Sequence, residues 1–86
     1  MSFTFDLFKS KSNQMKHGID FAEAQKIWRD ANRIEFPVPF RSEDRSIVVG
    51  KIDDTYWTAV VTRRDNMIRI ISVRRSRTDE KEIYNS

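Results

Sequence analysis

The chain has no cysteine and only one histidine, so it lacks most of the side chains that hold zinc or form disulfides. A zinc site needs three or four nitrogen or sulfur ligands, which this inventory does not supply. Glycine-rich phosphate loops, nucleophile elbows and cysteine nucleophiles are missing as well. Because cysteine-free proteins suit a reducing compartment, we predict a cytoplasmic protein that uses no cofactor and no metal.

Long apolar runs and loop-forming residues are also scarce. The longest apolar stretches cover only a few residues, too few to span a membrane, and no charged-then-apolar leader is visible. Two glycines and two prolines in 86 residues predict regular elements joined by short connections. Because no linker, repeat or low-complexity tract interrupts the sequence, we predict one domain over residues 1–86.

What the chain does have is clustered positive charge. Its net charge is +3, and residues 63–77 carry six arginines against one acid, while residues 9–17 carry three lysines and no acid. Such clustering is typical of a protein with a polyanionic partner. Arginine in particular matches pairs of phosphate oxygens. The alternative is a solvated charged surface without a ligand.

Caps and apolar spacing predict two helices in the first third of the chain. The first is bounded by an N-cap at Asp6 and a left-handed glycine C-cap at Gly18, and Leu7, Phe8, Lys11 and Met15 fall at helical spacing within it. The second begins at a capping box and continues to residue 31. Its aromatic residues, Phe21 and Trp28, are predicted core anchors.

Period-two patterns predict strands in the remainder. The predicted strands cover residues 2–5, 33–36, 45–52, 56–62 and 67–75, and a short final helix covers 78–84. Prolines 37 and 39 should stop the second strand, and the last three strands should form a meander. The order β-α-α-β-β-β-β-α predicts an α+β fold, in which a twisted antiparallel sheet carries the N-terminal helices on one face, with a short C-terminal helix.

His17 is the natural candidate for proton transfer. The unperturbed pKa of histidine lies near neutrality, and the partial negative charge at the end of a helix favours its charged form. The alternative is structural, because a C-capping histidine that bonds the last carbonyls of the helix would look identical in sequence.

The strand over residues 67–75 carries the arginines that could meet a phosphate. Arg74 and Arg75 lie at its end, where both can turn toward one site. Arg69 lies on the opposite face from Arg74 under strict alternation, so it needs a bulge or a strong twist to join it. The alternative for Arg69 is an ion pair with an acid such as Glu43 or Asp44.

Cations and a single acid–base group suit RNA cleavage, because RNA carries its own nucleophile in the 2′-hydroxyl. The protein needs only to orient that hydroxyl, accept its proton, stabilise the charge on the phosphorane and protonate the leaving 5′ oxygen. A non-catalytic domain that binds nucleic acid or a protein partner through the same basic face is the alternative. In such a domain Tyr56 and Trp57 would stack bases, although core or interface packing is their commoner role.

Two separated motifs resemble the BrnT toxins of type II toxin–antitoxin systems. The N-terminal motif comprises Phe3-Thr4-Phe5-Asp6, Lys9, Asn13, Lys16-His17-Gly18-Ile19-Asp20-Phe21 and Glu23-Ala24. The C-terminal motif comprises Glu43-x-Arg45, Val49-Gly50, Thr62-x-Arg64 and Arg69-Ile70-Ile71-Ser72-x-Arg74-Arg75. The chain departs from the family pattern at Arg63, where an acid is common, and at Phe5, where tryptophan is frequent.

The resemblance implies a RelE-like fold and a ribonuclease toxin that inhibits translation. It implies a BrnA-like antitoxin as partner. Because such an antitoxin carries a DNA-binding part, the toxin would contact DNA only as part of the complex. By analogy with the family, the complex would be a dimer of toxin–antitoxin pairs. Carried over by position, the active-site candidates are Lys9, His17, Arg74 and Arg75 for catalysis, with Arg64 and Arg69 for RNA and phosphate binding.

Overall fold

The computed structural model describes residues 2–38 and 44–86. Within them the elements are β1 (Ser2–Thr4), α1 (Leu7–His17), α2 (Phe21–Ala24), a 3₁₀ segment (Gln25–Arg29), β2 (Ile34–Val38), β3 (Arg45–Ile52), β4 (Thr55–Arg64), β5 (Met67–Arg75) and α3 (Thr78–Asn85). The predicted order of helices and strands is confirmed. None of the helices in these two ranges is long and apolar enough to cross a membrane.

The five strands form one mixed sheet in the order β1-β5-β4-β3-β2. Strands β2 to β5 pair antiparallel, as the meander prediction requires. Strand β1 runs parallel to β5, so the prediction of an antiparallel sheet is wrong at this edge. Alternation of polar and apolar residues marks a strand without encoding its direction, and the long chain between β1 and β5 permits the parallel pairing.

Several element boundaries differ from the prediction by one or two residues, and two of these differences have a clear physical cause. The second helix has one α-helical turn and then tightens into the 3₁₀ segment, which ends at Arg29 with Asp30 as its C-cap. The Asp30 carboxylate accepts hydrogen bonds from the backbone N–H groups of Asn32 and Lys51, which fixes the turn and leaves Ala31 exposed. Strand β2 continues through Pro37, which is tolerated because β2 is an edge strand. The predicted effect of Pro39 lies outside the described residues.

The core lies between the sheet and the segment that follows α1. Phe21 and Ile27 are 1% and 0% exposed, so Phe21 is the core anchor that was predicted. Gly50 allows this close packing, since a Cβ atom at this position would lie 2.9 Å from Cγ2 of Ile27. Trp28 is half-buried and packs edge-on against Phe3. The buried strand residues of the cluster are Val48, Ala59, Val61, Ile68, Ile70 and Val73.

Helix α1 has the predicted caps but an unexpected orientation. Asp6 accepts hydrogen bonds from the first free N–H groups, and Gly18 adopts the left-handed conformation with φ 79°. The buried residues of α1 are polar, Ser10 and Asn13, whereas its large apolar side chains point to solvent. The exposed fractions are 72% for Leu7, 85% for Phe8 and 88% for Met15. This is the reverse of the usual amphipathic helix.

Asn13 explains how a polar helix face packs against the sheet. Its amide nitrogen donates to the carbonyl oxygens of Ile19 and Val73, at 2.8 and 2.9 Å, and its amide oxygen accepts from the N–H of Val73. The Ser10 hydroxyl likewise accepts from the N–H of Phe21. Side-chain hydrogen bonds to the backbone therefore fix α1 where apolar contacts would usually do so.

Candidate functional site

A two-residue turn between β4 and β5 sets the geometry of the site. Asp65 and Asn66 both have positive φ, 48° and 67°, as a type I′ hairpin turn requires. The turn aligns Arg64 with Met67 and, two residues farther along, Thr62 with Arg69. Because side chains alternate between the two faces of a strand, Arg64 and Thr62 lie on the same face of the sheet as their partners, Met67 and Arg69.

Neighbouring strands extend the Thr62–Arg69 pair into a row that crosses the sheet. Thr4 of β1 pairs with Arg69, and Arg45 of β3 pairs with Thr62. The row therefore runs Thr4, Arg69, Thr62, Arg45 across four strands. Two arginines alternate with two threonines on one surface.

This row lies in a groove of about 450 Å³, which we call the cationic groove. It is lined by Thr4, Lys9, Arg45, Thr62, Arg64, Asp65, Met67, Arg69 and Ile71. Four cationic side chains therefore face one acidic side chain. Lys9 lies in the first turn of α1. The side chains that line the groove therefore come from α1, from the hairpin between β4 and β5, and from the row that crosses the sheet.

Most of the cations in the groove are available to a ligand. Lys9, Arg64 and Arg69 are exposed, and within the described residues none of the three forms an ion pair. The Arg69 guanidinium contacts the Thr4 hydroxyl at 3.4 Å. The predicted alternative for Arg69, an ion pair with Asp44, is not formed; Glu43, the other acid considered, lies outside the described residues.

A bulge in β5 places Arg69 on the face that the sequence analysis required. Val60 pairs with Ser72 and Val61 pairs with Ile70, so one residue of β5, Ile71, has no partner. The extra residue reverses the alternation, and Arg69 and Arg74 consequently share a face. Their partners on β4, Thr62 and Thr58, are four residues apart in sequence, so about 13 Å separates Arg69 from Arg74 along the strands.

A comparison with protein families identifies the kind of protein to which this chain belongs. The family described as ribonuclease toxin, BrnT, of type II toxin-antitoxin system matches residues 5–80. This chain belongs to that family. No curated protein matches the chain. The resemblance noted in the sequence is thus confirmed: BrnT proteins are ribonuclease toxins that act with an antitoxin partner, and the matched segment contains all six predicted site residues.

In this BrnT chain, Arg74 does not reach the cationic groove. Its guanidinium forms a two-pronged ion pair with Glu80 of α3, at 2.8 and 2.9 Å. Glu80 is 6% exposed and also accepts hydrogen bonds from the N–H of Arg77 and the hydroxyl of Thr58. Arg74 therefore holds α3 against β4 and β5 in this structure, and its pKa is raised by the hydrogen bonds to Glu80.

Arg75 and His17 also lie away from the groove. The Arg75 guanidinium stacks over the Trp57 ring, 5.4 Å from its centre, on the opposite face from Arg74. His17 is the exposed last residue of α1, about 12 Å along the helix from Lys9. It forms no hydrogen bond to the last helical carbonyls among the described residues. The structure thus brings together Lys9, Arg64 and Arg69 and leaves the other three predicted residues outside the cationic groove.

Glu80 should make the free energy of unfolding depend on pH in the acidic range. Burial alone would raise its pKa, but hydrogen bonds from Arg74, Arg77 and Thr58 lower it from 4.5 to about 2. Because the folded-state pKa is depressed, the stabilisation is complete above pH 4.5 and is lost as the pH falls toward 2. The contribution at neutral pH is about 3 kcal/mol. We expect Glu80→Gln to lose most of it.

Urea unfolding midpoints at pH 7, 5, 4 and 3 measure this effect. The wild type and Glu80→Gln should differ most at pH 7 and converge in acid. Glu82→Gln is the matched control, because Glu82 is an exposed carboxylate on the same helix. Parallel pH profiles for wild type and Glu80→Gln would show that the ion pair does not stabilise the fold.

Three residues of these sites were missed by sequence analysis. Arg45 and Asp65 line the cationic groove, and Glu80 binds Arg74. The Asp65-Asn66 turn carries a usable signal for the first two, because a two-residue turn fixes the pairing of every residue before and after it. Glu80 had no such signal, since its partner lies on a separate element.

In the described residues no group of three or more His, Cys, Asp or Glu side chains is placed to hold a metal ion.

Proposed function

We propose that this chain is a metal-independent endoribonuclease toxin whose cationic groove binds the RNA backbone. The observation that carries the proposal is the gathering of Lys9, Arg64 and Arg69 from three elements, with no ion pair to any of them in the described chain. Family membership supplies the reaction class. Cutting RNA in the cytoplasm would stop translation, and a BrnA-like antitoxin would neutralise the toxin.

The groove fits the needs of RNA cleavage at a phosphate. Arg69 lies in the row that crosses the groove, between Thr4 and Thr62, where the guanidinium can meet two phosphate oxygens. Lys9 and Arg64 line the same groove and can hold the flanking backbone. Charge that develops on the phosphorane would be met by preorganised cations, while the 2′-hydroxyl of the RNA serves as the nucleophile. The fold, with helices against a twisted sheet, supports the RelE-like assignment made from sequence.

The remaining predicted residues keep different roles in this proposal. His17 stays the predicted acid–base group, reached only by RNA that continues along α1 beyond the groove. Arg74 and Arg75 stay predicted phosphate ligands at the end of β5. Their contacts with Glu80 and Trp57 give each of them a structural role in addition.

Cleavage of total RNA by the purified chain in EDTA tests the proposal. The wild type should cleave, and Lys9→Ala/Arg64→Ala should cleave about 100-fold more slowly. Two lost phosphate contacts should also reduce the slope of log binding against log salt by about 1.4 for single-stranded RNA. Arg63→Ala is the matched control, because Arg63 neighbours Arg64 but pairs with Glu35 outside the groove.

Each contrary outcome has its own meaning. Cleavage that needs added Mg²⁺ would overturn metal independence. Salt-dependent binding without cleavage would support the non-catalytic alternative. Equal rates for the wild type and Lys9→Ala/Arg64→Ala would overturn the assignment of the groove.

A further inference from the structure

Helix α1 presents its apolar side chains to solvent, and this surface has no function in the RNA-binding proposal. Leu7, Phe8 and Met15 are the three most exposed large apolar residues of the described chain. The inward face of α1 is satisfied by Ser10 and Asn13, so the outward residues are not needed to fold the helix against the sheet. Exposed apolar clusters of this kind mark interaction surfaces.

Beside these residues lies a second depression, which we call the apolar groove. It has a volume of about 490 Å³ and a mostly apolar lining formed by Phe5, Leu7, Ser10, Lys11, Gln14, Met15, Asp20 and Ala22. Leu7, Lys11 and Met15 repeat every four residues, so they form a ridge inclined to the axis of α1. A concave apolar surface beside a helix is the shape that accepts an amphipathic helix from a partner.

Charge indicates which kind of helix fits. Helix α1 carries Lys9, Lys11, Lys16 and His17 and has no acidic residue. Lys11 lines the groove together with one acid, Asp20, and Lys16 follows Met15 near the end of α1. A partner that covers Leu7 and Met15 would therefore meet Lys11 and Lys16, whereas Lys9 lies on the other side of the helix. Acidic flanks would be attracted and basic flanks repelled.

We propose that the apolar groove is the docking site for an acidic amphipathic helix of the antitoxin. This inference rests on the proposed neutralisation by an antitoxin, and the family supplies a partner of that kind. Lys9 lies about 200° around α1 from Leu7, on the other side of the helix. An antitoxin helix seated in the apolar groove is therefore separated from the cationic groove only by the width of α1, and the next segment of the antitoxin can cross α1 to cover Lys9.

Peptide binding to the full chain tests the proposal. The probe is a 21-residue designed helix with leucines at i, i+3, i+4 and i+7 repeats and glutamates flanking them. Isothermal titration should show binding, and resonance shifts in NMR spectra should cluster on α1 and α2. Leu7→Glu/Met15→Glu should weaken binding about 100-fold, since two apolar contacts are replaced by like charges. Ile83→Glu, at an exposed apolar residue of α3, is the matched control.

A second peptide, together with sedimentation of the chain itself, defines what would overturn the inference. A peptide with lysine in place of each glutamate should bind at least tenfold more weakly. Equal binding of both peptides, no binding of the acidic peptide, or shifts confined to the cationic groove would each overturn it. A wild type that dimerises in sedimentation, with a monomeric Leu7→Glu/Met15→Glu variant, would assign the surface to a second copy instead.

The same variant separates this inference from the proposed enzyme function. Leu7 and Met15 lie outside the cationic groove, so Leu7→Glu/Met15→Glu should cleave RNA at the wild-type rate. Retained cleavage with unchanged peptide affinity would overturn the docking site alone. Absence of cleavage by the wild type, with peptide binding intact at α1, would overturn the enzyme function alone. Both exposed positions accept glutamate without loss of packing, and thermal unfolding checks that the variant is folded.

Discussion

Replacing Arg69 by alanine should lower the rate of RNA cleavage about 100- to 1,000-fold, which is the usual effect of removing one preorganised donor for a developing negative charge. Arg69 lies in the row that crosses the sheet, between Thr4 and Thr62. No other arginine of β5 lines the cationic groove. Single-turnover cleavage of a defined RNA in EDTA measures the rate.

Two further variants test whether the loss of rate is specific to the Arg69 guanidinium. Arg69→Lys keeps the charge but loses the two-pronged geometry, so it should recover only part of the lost rate. Arg63→Ala removes an exposed arginine outside the groove and should leave the rate unchanged. A wild-type rate for Arg69→Ala would overturn phosphate binding in this groove. A loss of similar size for Arg75→Ala would support the site that the sequence predicted at the end of β5.

Replacing Asn13 by alanine should lower the free energy of unfolding by about 3 kcal/mol, because it leaves three buried backbone groups without a hydrogen bond. These groups are the carbonyls of Ile19 and Val73 and the N–H of Val73. For a domain of this size the melting temperature should fall by about 15 °C. Thermal unfolding followed by circular dichroism measures it.

Gln14→Ala is the control for Asn13→Ala. It removes an amide from the next residue of the same helix, but Gln14 is exposed and makes no side-chain hydrogen bond in the described chain. Its melting temperature should stay within about 2 °C of the wild type. Equal effects of the two substitutions would show that helix propensity, and not the hydrogen bonds to Ile19 and Val73, decides the outcome.

Sequence reasoning succeeded where a local interaction fixes the structure. The Asp6 cap and the left-handed Gly18 each depend on a few neighbouring residues, and each was predicted as a cap. The Asp65-Asn66 turn is equally local, and it joins two strands of the predicted meander. The need for a bulge before Arg74 could also be stated, because strict alternation places Arg69 on the wrong face.

The predictions that were wrong or absent have a different physical origin. The direction of β1 depends on a partner about 65 residues away, which no local pattern records. The apolar spacing of α1 is typical of a core helix, yet Asn13 and Ser10 turn it outward through hydrogen bonds to distant backbone. In the same way Arg74 is withdrawn from the surface by Glu80, although its place on the strand was predicted. Long-range polar contacts, and not element propensities, decide which cations form the candidate site.

The parallel contact between β1 and β5 also determines when the cationic groove can form during synthesis of the chain. Thr4 and Arg69 meet in that contact, so one wall of the cationic groove is contributed by residues near opposite ends of the chain. Contacts between such distant residues require closure of a long loop, which makes them slow to form during folding. A growing polypeptide on the ribosome cannot assemble the groove before β5 has been made and β1 has docked beside it. Synthesis itself therefore imposes a delay before the groove proposed to bind RNA exists.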